Sequence, residues 1–387
     1  MPYVLPPSLK SDKVALVLAF GRLSVLEACC TAEGIKVLEE ACDRVCVVET
    51  GSPLRSLTKL AGIHKFAPVL AQFDGEEERV GDFAKAIASE FDVRKFALSG
   101  YDVPDADYEE LVRMLLDAFR EEGIKKVRLL RPKGNELLAE QVVTREALDI
   151  IAFPRRGGYA LGATTWVSDA PAIRRATTKP APSPEISMSP RLARTLINIS
   201  ALTPGKTLLD PFCGSGTILA AGLARSLVCI GVDSDSRRIR DARRNLEWAK
   251  RGSRGHYVLK VGDATDLPAF LRDTRADGVV TEPILLPKLN SRPNASVAAE
   301  LMAVAGETYA RSLPSIVDVL NPGGRIVMVA PVLLTVDGGE VSMDLNARQL
   351  GLRQLQPGPI GFKYPVRLSF ESTRWVRRSV YVFEWRP

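Results

Sequence analysis

The chain has 387 residues, 46% hydrophobic and 25% charged, enough apolar material for two or three packed domains and too much for a disordered chain. No apolar run approaches the roughly 20 residues that span a bilayer, and the opening MPYVLPPSLKSDK lacks the charged and apolar regions of a secretory leader, so a cytoplasmic protein with no membrane partner is expected. Cys29, Cys30, Cys42, Cys46, Cys213 and Cys229 form no CxxC pair and His64 and His256 add no zinc spacing, so the thiols read as reduced and no metal is expected, while a net charge of +6 hints at a polyanionic partner.

KVALVLAF (13–20) reads as a buried strand, SVLEACCTAEG as a helix ending at Gly34, and DRVCVVET as a second strand. DGEEERVGDFAKAIASEF opens a helix and KFALSGYD (95–102) is a strand. DYEELVRMLLDAFREEG places Leu111, Met114, Leu115 and Phe119 on one face of an amphipathic helix. KKVRLLRP is a further strand, and TREALDIIAF and GYALGATTWV complete a pair of α+β modules, 1–75 and 76–168. A linker over 169–184 follows, within a stretch where Pro180, Pro182, Pro184 and Pro190 stiffen the chain.

From 185 to 387 strands alternate with helices, the pattern of a doubly wound, mostly parallel sheet of the Rossmann-like kind. KTLLDPFCGSGTILAAGLA gives a strand to Leu209, a glycine turn at Gly214 and Gly216, and a helix from Thr217. SLVCIGVDSD is a strand ending at Asp233, 23 positions after Asp210, where a doubly wound fold sets a carboxylate against ribose hydroxyls. Ser234 or Asp235 caps the next helix, and Gly252 stops it. YVLKVGDATDL ends a third strand at Asp263; ADGVVTEP and LNPGGRIVMVAP are the fourth and fifth. An aspartate at the glycine turn would repel a pyrophosphate and attract a sulfonium and an amino group, which favours a methyl donor over a dinucleotide.

In this order DPFCGSGT, GVDSD, GDAT and GVVTEP resemble the class I S-adenosylmethionine-dependent methyltransferases. The preceding MSPRLARTLINIS resembles the helix that closes over the methionine end of the cofactor. More narrowly, the arrangement is similar to the THUMP-containing tRNA guanosine N2-methyltransferases that modify position 10, with KFALSGYD and KKVRLLRP resembling THUMP elements behind a ferredoxin-like module. The resemblance implies that Asp210, Pro211, Cys213, Gly214, Ser215 and Gly216 face the methionine part, Asp233 with Ser234 the ribose, and Gly262, Asp263 and Ala264 the adenine. It also implies tRNA as substrate and, in some members, a small zinc-binding activator protein that adds a strand to the catalytic domain.

The stretch TEPILLPKL stands where amino-methyltransferases of this type carry Asp-Pro-Pro-Tyr or a variant with Asn first. An acceptor there orients the target amine towards the methyl group, and an aromatic ring stacks on the extruded base. Either Glu282 replaces the first residue, with Ile284 and Leu285 filling the next places, or Pro283 is the second proline and Thr281 takes the acceptor slot. Three readings stay open: a tRNA guanine-N2 methyltransferase with a variant loop, the same fold acting on another amino group in RNA or DNA, and a nucleic-acid-binding protein without chemistry. Arg174, Arg175 and Lys179, near the interdomain joint, are the candidate RNA contacts; the arginines from Arg237 to Arg244 and RWVRR near the C-terminus are further basic clusters. Direct transfer to an amine needs no covalent intermediate, so Cys213 reads as a packing residue.

Overall fold

The computed structural model describes residues 11–51, 54–73, 78–90, 93–124, 126–168, 179–181, 188–251, 253–283, 286, 289–345, 347–357, 361–368 and 375–387. Two compact units divide the chain, Met1–Ala172 and Ile173–Pro387.

The first unit contains β1 (Lys13–Leu18), α1 (Arg22–Thr31), β2 (Ile35–Cys42), β3 (Val45–Thr50), β4 (Ile63–Phe73), α2 (Glu78–Glu90), β5 (Lys95–Gly100), α3 (Asp105–Glu121), β6 (Arg128–Leu129), α4 (Ala139–Arg145), β7 (Leu148–Arg155), β8 (Gly158–Ala163) and β9 (Trp166–Val167). Its strands join in the order β2-β3-β1-β4-β8-β7-β5-β6, with β9 also on β4. The long β4 carries both halves of this sheet. Its first part pairs antiparallel with β1 (Leu16↔Phe66) and its second with β8 (Gln72↔Ala160), across a shift between Val69 and Ala71. Spacing of three and four along α3 buries Leu111, Leu115, Ala118 and Phe119 against Phe83 and Ile87 of α2 and Phe96 and Leu98 of β5.

The helix expected to reach Gly34 ends at Thr31, and IKVLEEAC forms β2, which the sequence reading leaves unassigned. As an outer strand β2 buries little beyond Val37, so its sequence shows no apolar alternation. KKVRLLRP contributes only the two residues of β6.

In the second unit the elements are α5 (Pro190–Ile199), β10 (Thr207–Asp210), α6 (Thr217–Ala224), β11 (Val228–Asp233), α7 (Ser236–Ala249), β12 (His256–Val261), α8 (Leu267–Leu271), β13 (Ala276–Thr281), α9 (Ala295–Asp318), β14 (Leu320–Leu334), β15 (Glu340–Ser342), β16 (Leu352–Gln354), β17 (Val366–Arg367) and β18 (Val376–Trp385). Strand order is β12-β11-β10-β13-β14-β18-β16, with β15 on β14 and β17 on β18. The run from β12 to β14 is parallel, and β18 enters antiparallel against β14 (Met328↔Tyr381, Pro331↔Arg378). This is the doubly wound α/β architecture that the alternation of elements implies. From β10 the chain winds outward through β11 to β12 and then returns to β13 on the other side of β10, which makes the carboxyl ends of β10, β11 and β13 the switch point where doubly wound sheets bind ligands. Leu209, Ile230, Val232, Val279, Ile326 and Met328 of the sheet pack in one core with Met302, Tyr309 and Ile316 of α9. Among the described residues no helix is long and apolar enough to cross a membrane.

Candidate active site

The glycine turn leaves β10 at Asp210 and reaches α6 in seven residues. Cys213 N–H donates to the Val232 carbonyl (2.9 Å) and Gly216 N–H to the Cys213 carbonyl (2.8 Å), which folds the turn back over β11. Gly214 and Gly216 sit at φ +50° and +83°, left-handed values that side chains rarely adopt. A Cβ at Gly216 would also press on Ala242 and Leu246 of α7, at 3.4 Å from each, whereas beside Gly214 the nearest atom is the end of Arg238 at 3.8 Å. The backbone is therefore open for close approach of a ligand at Gly214 and closed against α7 at Gly216.

Asn245, buried on α7, braces the turn from behind. Its Nδ2 donates to the Ser215 carbonyl (2.9 Å) and the Ala181 carbonyl (3.0 Å), and its Oδ1 accepts from Ala181 N–H (2.9 Å). Lys179 Nζ donates to the hydroxyls of Ser215 (2.9 Å) and Thr217 (3.0 Å), and burial pulls its ammonium pKa below the usual value. Lys179 thus stands at the glycine turn. Arg174 and Arg175, its fellow candidates, lie outside the described residues.

The acidic residues fall where the strands end. Asp233, at the end of β11 and almost fully buried, accepts from Gly214 N–H with Oδ2 and from Asp235 N–H with Oδ1, both at 2.9 Å. Each oxygen keeps a second lone pair, so the carboxylate can still receive two ligand hydroxyls. Ser234 beside it is exposed, and Asp235 caps α7 by accepting from Arg237 N–H (2.8 Å). Asp263, exposed after β12, accepts from the N–H and hydroxyl of Thr265, and these bonds hold its pKa below the usual carboxylate range. Ala264 is buried behind it, and the ring of Phe270 lies so close to Gly262 that a Cβ there would meet it at 2.7 Å. That requirement for glycine depends on a neighbour eight residues away and is not visible in GDAT.

Asp210 is buried with Oδ1 accepting from Thr281 Oγ1 (2.8 Å) and Phe212 N–H (3.2 Å). Burial pushes its pKa up to about 7; the two hydrogen bonds oppose that shift, and the charges of Asp233 and Glu282 add to it. Burial likewise raises the Cys213 thiol well above its ordinary value, with Asp210 and Asp233 contributing, so it carries no reactive thiolate at neutral pH.

Thr281 closes β13 as a fully buried residue, and Glu282 and Pro283 follow it, partly buried. Ile284 and Leu285 lie outside the described residues, as does Gly252. Glu282 Oε1 accepts from Arg378 Nε of β18 (2.5 Å), with about a tenth of either side chain exposed. Of the basic cluster RWVRR, Arg377 pairs with Glu340 of β15 and Arg378 with Glu282. On α7, Arg237 pairs with Asp235, while Arg238, Arg240, Arg243 and Arg244 are exposed.

Residues 174–332 match the family described as the RMKL-like methyltransferase domain. Over these residues the chain is similar to a methyltransferase domain. Two curated relatives are named tRNA (guanine(10)-N2)-dimethyltransferase. The protein from Methanothermobacter thermautotrophicus is 33% identical over 151 residues, covering 39% of this chain and 40% of the relative, and that from Pyrococcus abyssi is 30% identical over 158 residues, covering 41% and 43%. The chain thus matches about two fifths of the length of either relative. The crystal structure of TrmN from Thermus thermophilus aligns over 96% of this chain and 99% of its own with a TM-score of 0.54 at 19% identity, a likeness of fold.

Proposed function

We propose that the protein is an S-adenosylmethionine-dependent methyltransferase that modifies the exocyclic N2 amine of a guanosine in tRNA, at position 10 as in the names of the relatives. The observation that carries this reading is the meeting of Asp210, the open glycine turn and Asp233 at the switch point of the sheet, with Glu282 at the next strand end. The cofactor fits these residues. Asp233 retains acceptor capacity for two ribose hydroxyls, Gly214 offers unobstructed backbone, and Asp210 provides a carboxylate for the cationic methionine end. Pro211, Cys213, Ser215 and Gly216 would line that end, Ser234 the ribose side, and Gly262, Asp263 and Ala264 the adenine side.

When bound, the cofactor supplies a methyl group on a sulfonium, an electrophile that needs only a nucleophile in line. The protein's task is orientation and charge. Glu282 would accept a hydrogen bond from the guanine amine and favour the positive charge that develops on its nitrogen, Thr281 would keep Asp210 in place, and Pro283 would fix the direction in which the chain leaves β13. RNA would approach over exposed arginines such as Arg240, Arg243 and Arg244, with Arg174, Arg175 and Lys179 proposed for the same role. For a small zinc-binding activator, the outer edge of β12 is the suitable site: among the described residues no strand pairs with it, and Val258 and Val261 are each 49% exposed.

Incubation with labelled S-adenosylmethionine and unmodified tRNA, followed by mass spectrometry of the nucleosides, tests the reading. Label in N2-methylguanosine is the expected result. Label in N6-methyladenosine would move the target to another amine, and cofactor binding without transfer, even with an activator supplied, would leave a binding protein.

A further inference from the structure

The acid that the sequence puts in the acceptor position does not stand alone. The charges of Asp233 and Glu282, at the ends of β11 and β13, both act on Asp210 at the end of β10 and raise its carboxyl beyond what burial does. Beside other carboxylates and away from water, an acid without a cation is drawn towards its protonated form, and a protonated acid presents a donor where the amine needs an acceptor. The Arg378 guanidinium enters this group, 2.5 Å from Glu282 and almost buried with it.

The groups around the pair come from four elements. Arg378 arrives on β18, whose preceding residue Arg377 is engaged by Glu340 of β15. Asp210 arrives from β10 and Asp233 from β11, both tied to backbone N–H groups, and Lys179 lies beyond them at Ser215 and Thr217. β18 is antiparallel to β14 through nine paired positions, including Pro331↔Arg378, so the arginine is carried on rigid sheet and not on a loop.

We infer that Arg378 is a positioning residue for methyl transfer: it holds Glu282 as an anion at the end of β13, so that Glu282, and not Asp210, receives the target amine. The inference rests on the methyltransferase reading. During transfer the amine lone pair forms the new N–CH3 bond, the C–S bonding pair returns to sulfur, and the nitrogen sheds one proton to water. Glu282, kept ionised by Arg378, stabilises the charge on nitrogen without retaining that proton. A carboxylate paired with arginine is a weak base and a good electrostatic partner.

The test compares wild type, Arg378→Met, Arg378→Lys and Glu282→Gln by kcat and KM for tRNA across pH, by calorimetric cofactor affinity and by melting temperature. Arg378→Met should lower kcat at neutral pH by about 10²-fold while KM and cofactor affinity stay within about twofold. Its acid limb should move up by about one pH unit or more, so that part of the rate returns in alkali. Arg378→Lys, which keeps the charge, should fall between and retain the wild-type profile. A lower melting temperature with unchanged kcat and pH profile per folded molecule would overturn the inference and leave the pair as a strand latch. If the wild type transfers no methyl group, the proposed function fails, and the pair is then judged by carbon-13 titration of the Glu282 carboxyl. A midpoint about one pH unit higher in Arg378→Met supports Arg378 as the group that keeps Glu282 ionised, and an unchanged midpoint contradicts it.

Discussion

Each unit of the molecule buries an ion pair between strands that are not neighbours, β4 and β7 in the first and the end of β13 and β18 in the second, and the two pairs differ in what surrounds them. In the first unit Lys65 of β4 and Asp149 of β7 are wholly inaccessible, 2.8 Å apart. The remaining capacity of that carboxylate goes to the hydroxyls of Ser99 (2.5 Å) and Thr164 (2.7 Å), and Ser99 also receives Leu137 N–H. Every group in the network has its partner inside the core, which is how a buried pair serves structure. In the second unit Glu282 and Arg378 lie at the strand ends, where the charges of Glu282 and Asp233 act on Asp210 and the glycine turn is open to a ligand at Gly214. A closed network specifies a fold, and an acid-rich one at a crevice specifies a site.

The largest effect should come from opening the closed network. Asp149→Ala leaves an ammonium buried and should destabilise the first unit by about 3–5 kcal/mol, measured by denaturant unfolding. Adding Lys65→Met should recover part of that loss, and a single variant as stable as wild type would show that water reaches the pair. A smaller effect, read as affinity and not stability, is expected for Asp233→Ala, which should weaken S-adenosylmethionine binding by about 1.5–3 kcal/mol in calorimetry. Unchanged affinity there would remove Asp233 from the cofactor site.

The pH dependence of stability sharpens the contrast further. Asp210 is pushed up to about 7 from an ordinary 3.8, so between these values the folded protein holds a proton that the unfolded chain has released. Its contribution to stability therefore declines as pH rises through that window and levels off above it. Asp210→Asn removes the decline, and the melting temperature of that variant should gain on wild type from about pH 4 to about pH 7. Parallel curves would place the carboxyl in contact with water. The smallest effect belongs to Cys213→Ala: the thiol is buried and held neutral, so turnover should stay within a few-fold of wild type. Loss of transfer with cofactor binding intact would make the cysteine a participant.

What the sequence made legible was whatever local order encodes. The parallel strands declare themselves by apolar runs, and Asp210, Gly214, Gly216 and Asp233 by their offsets from strand ends, because the turn chemistry is fixed within a few residues. Strand β2 stayed hidden since an outer strand needs no apolar period, and Asn245 since its bonds to Ser215 and Ala181 join segments far apart in the chain. Arg378 was legible only as a basic residue in RWVRR, and its partner is 96 residues away, a distance over which no local pattern assigns a contact. A basic cluster read as a contact for nucleic acid thus contains two arginines that pair within the unit.

The central claim is that this site methylates the exocyclic amine of a tRNA guanosine, and a single substitution in the substrate tests it. Inosine differs from guanosine by lacking that amine. Methylation is to be measured under single-turnover conditions on a tRNA transcript with guanosine at position 10, the position named in the relatives, and on the same transcript with inosine there. Transfer of one or two methyl groups to the guanosine transcript and none to the inosine transcript is the predicted result. Equal label in both would contradict the account.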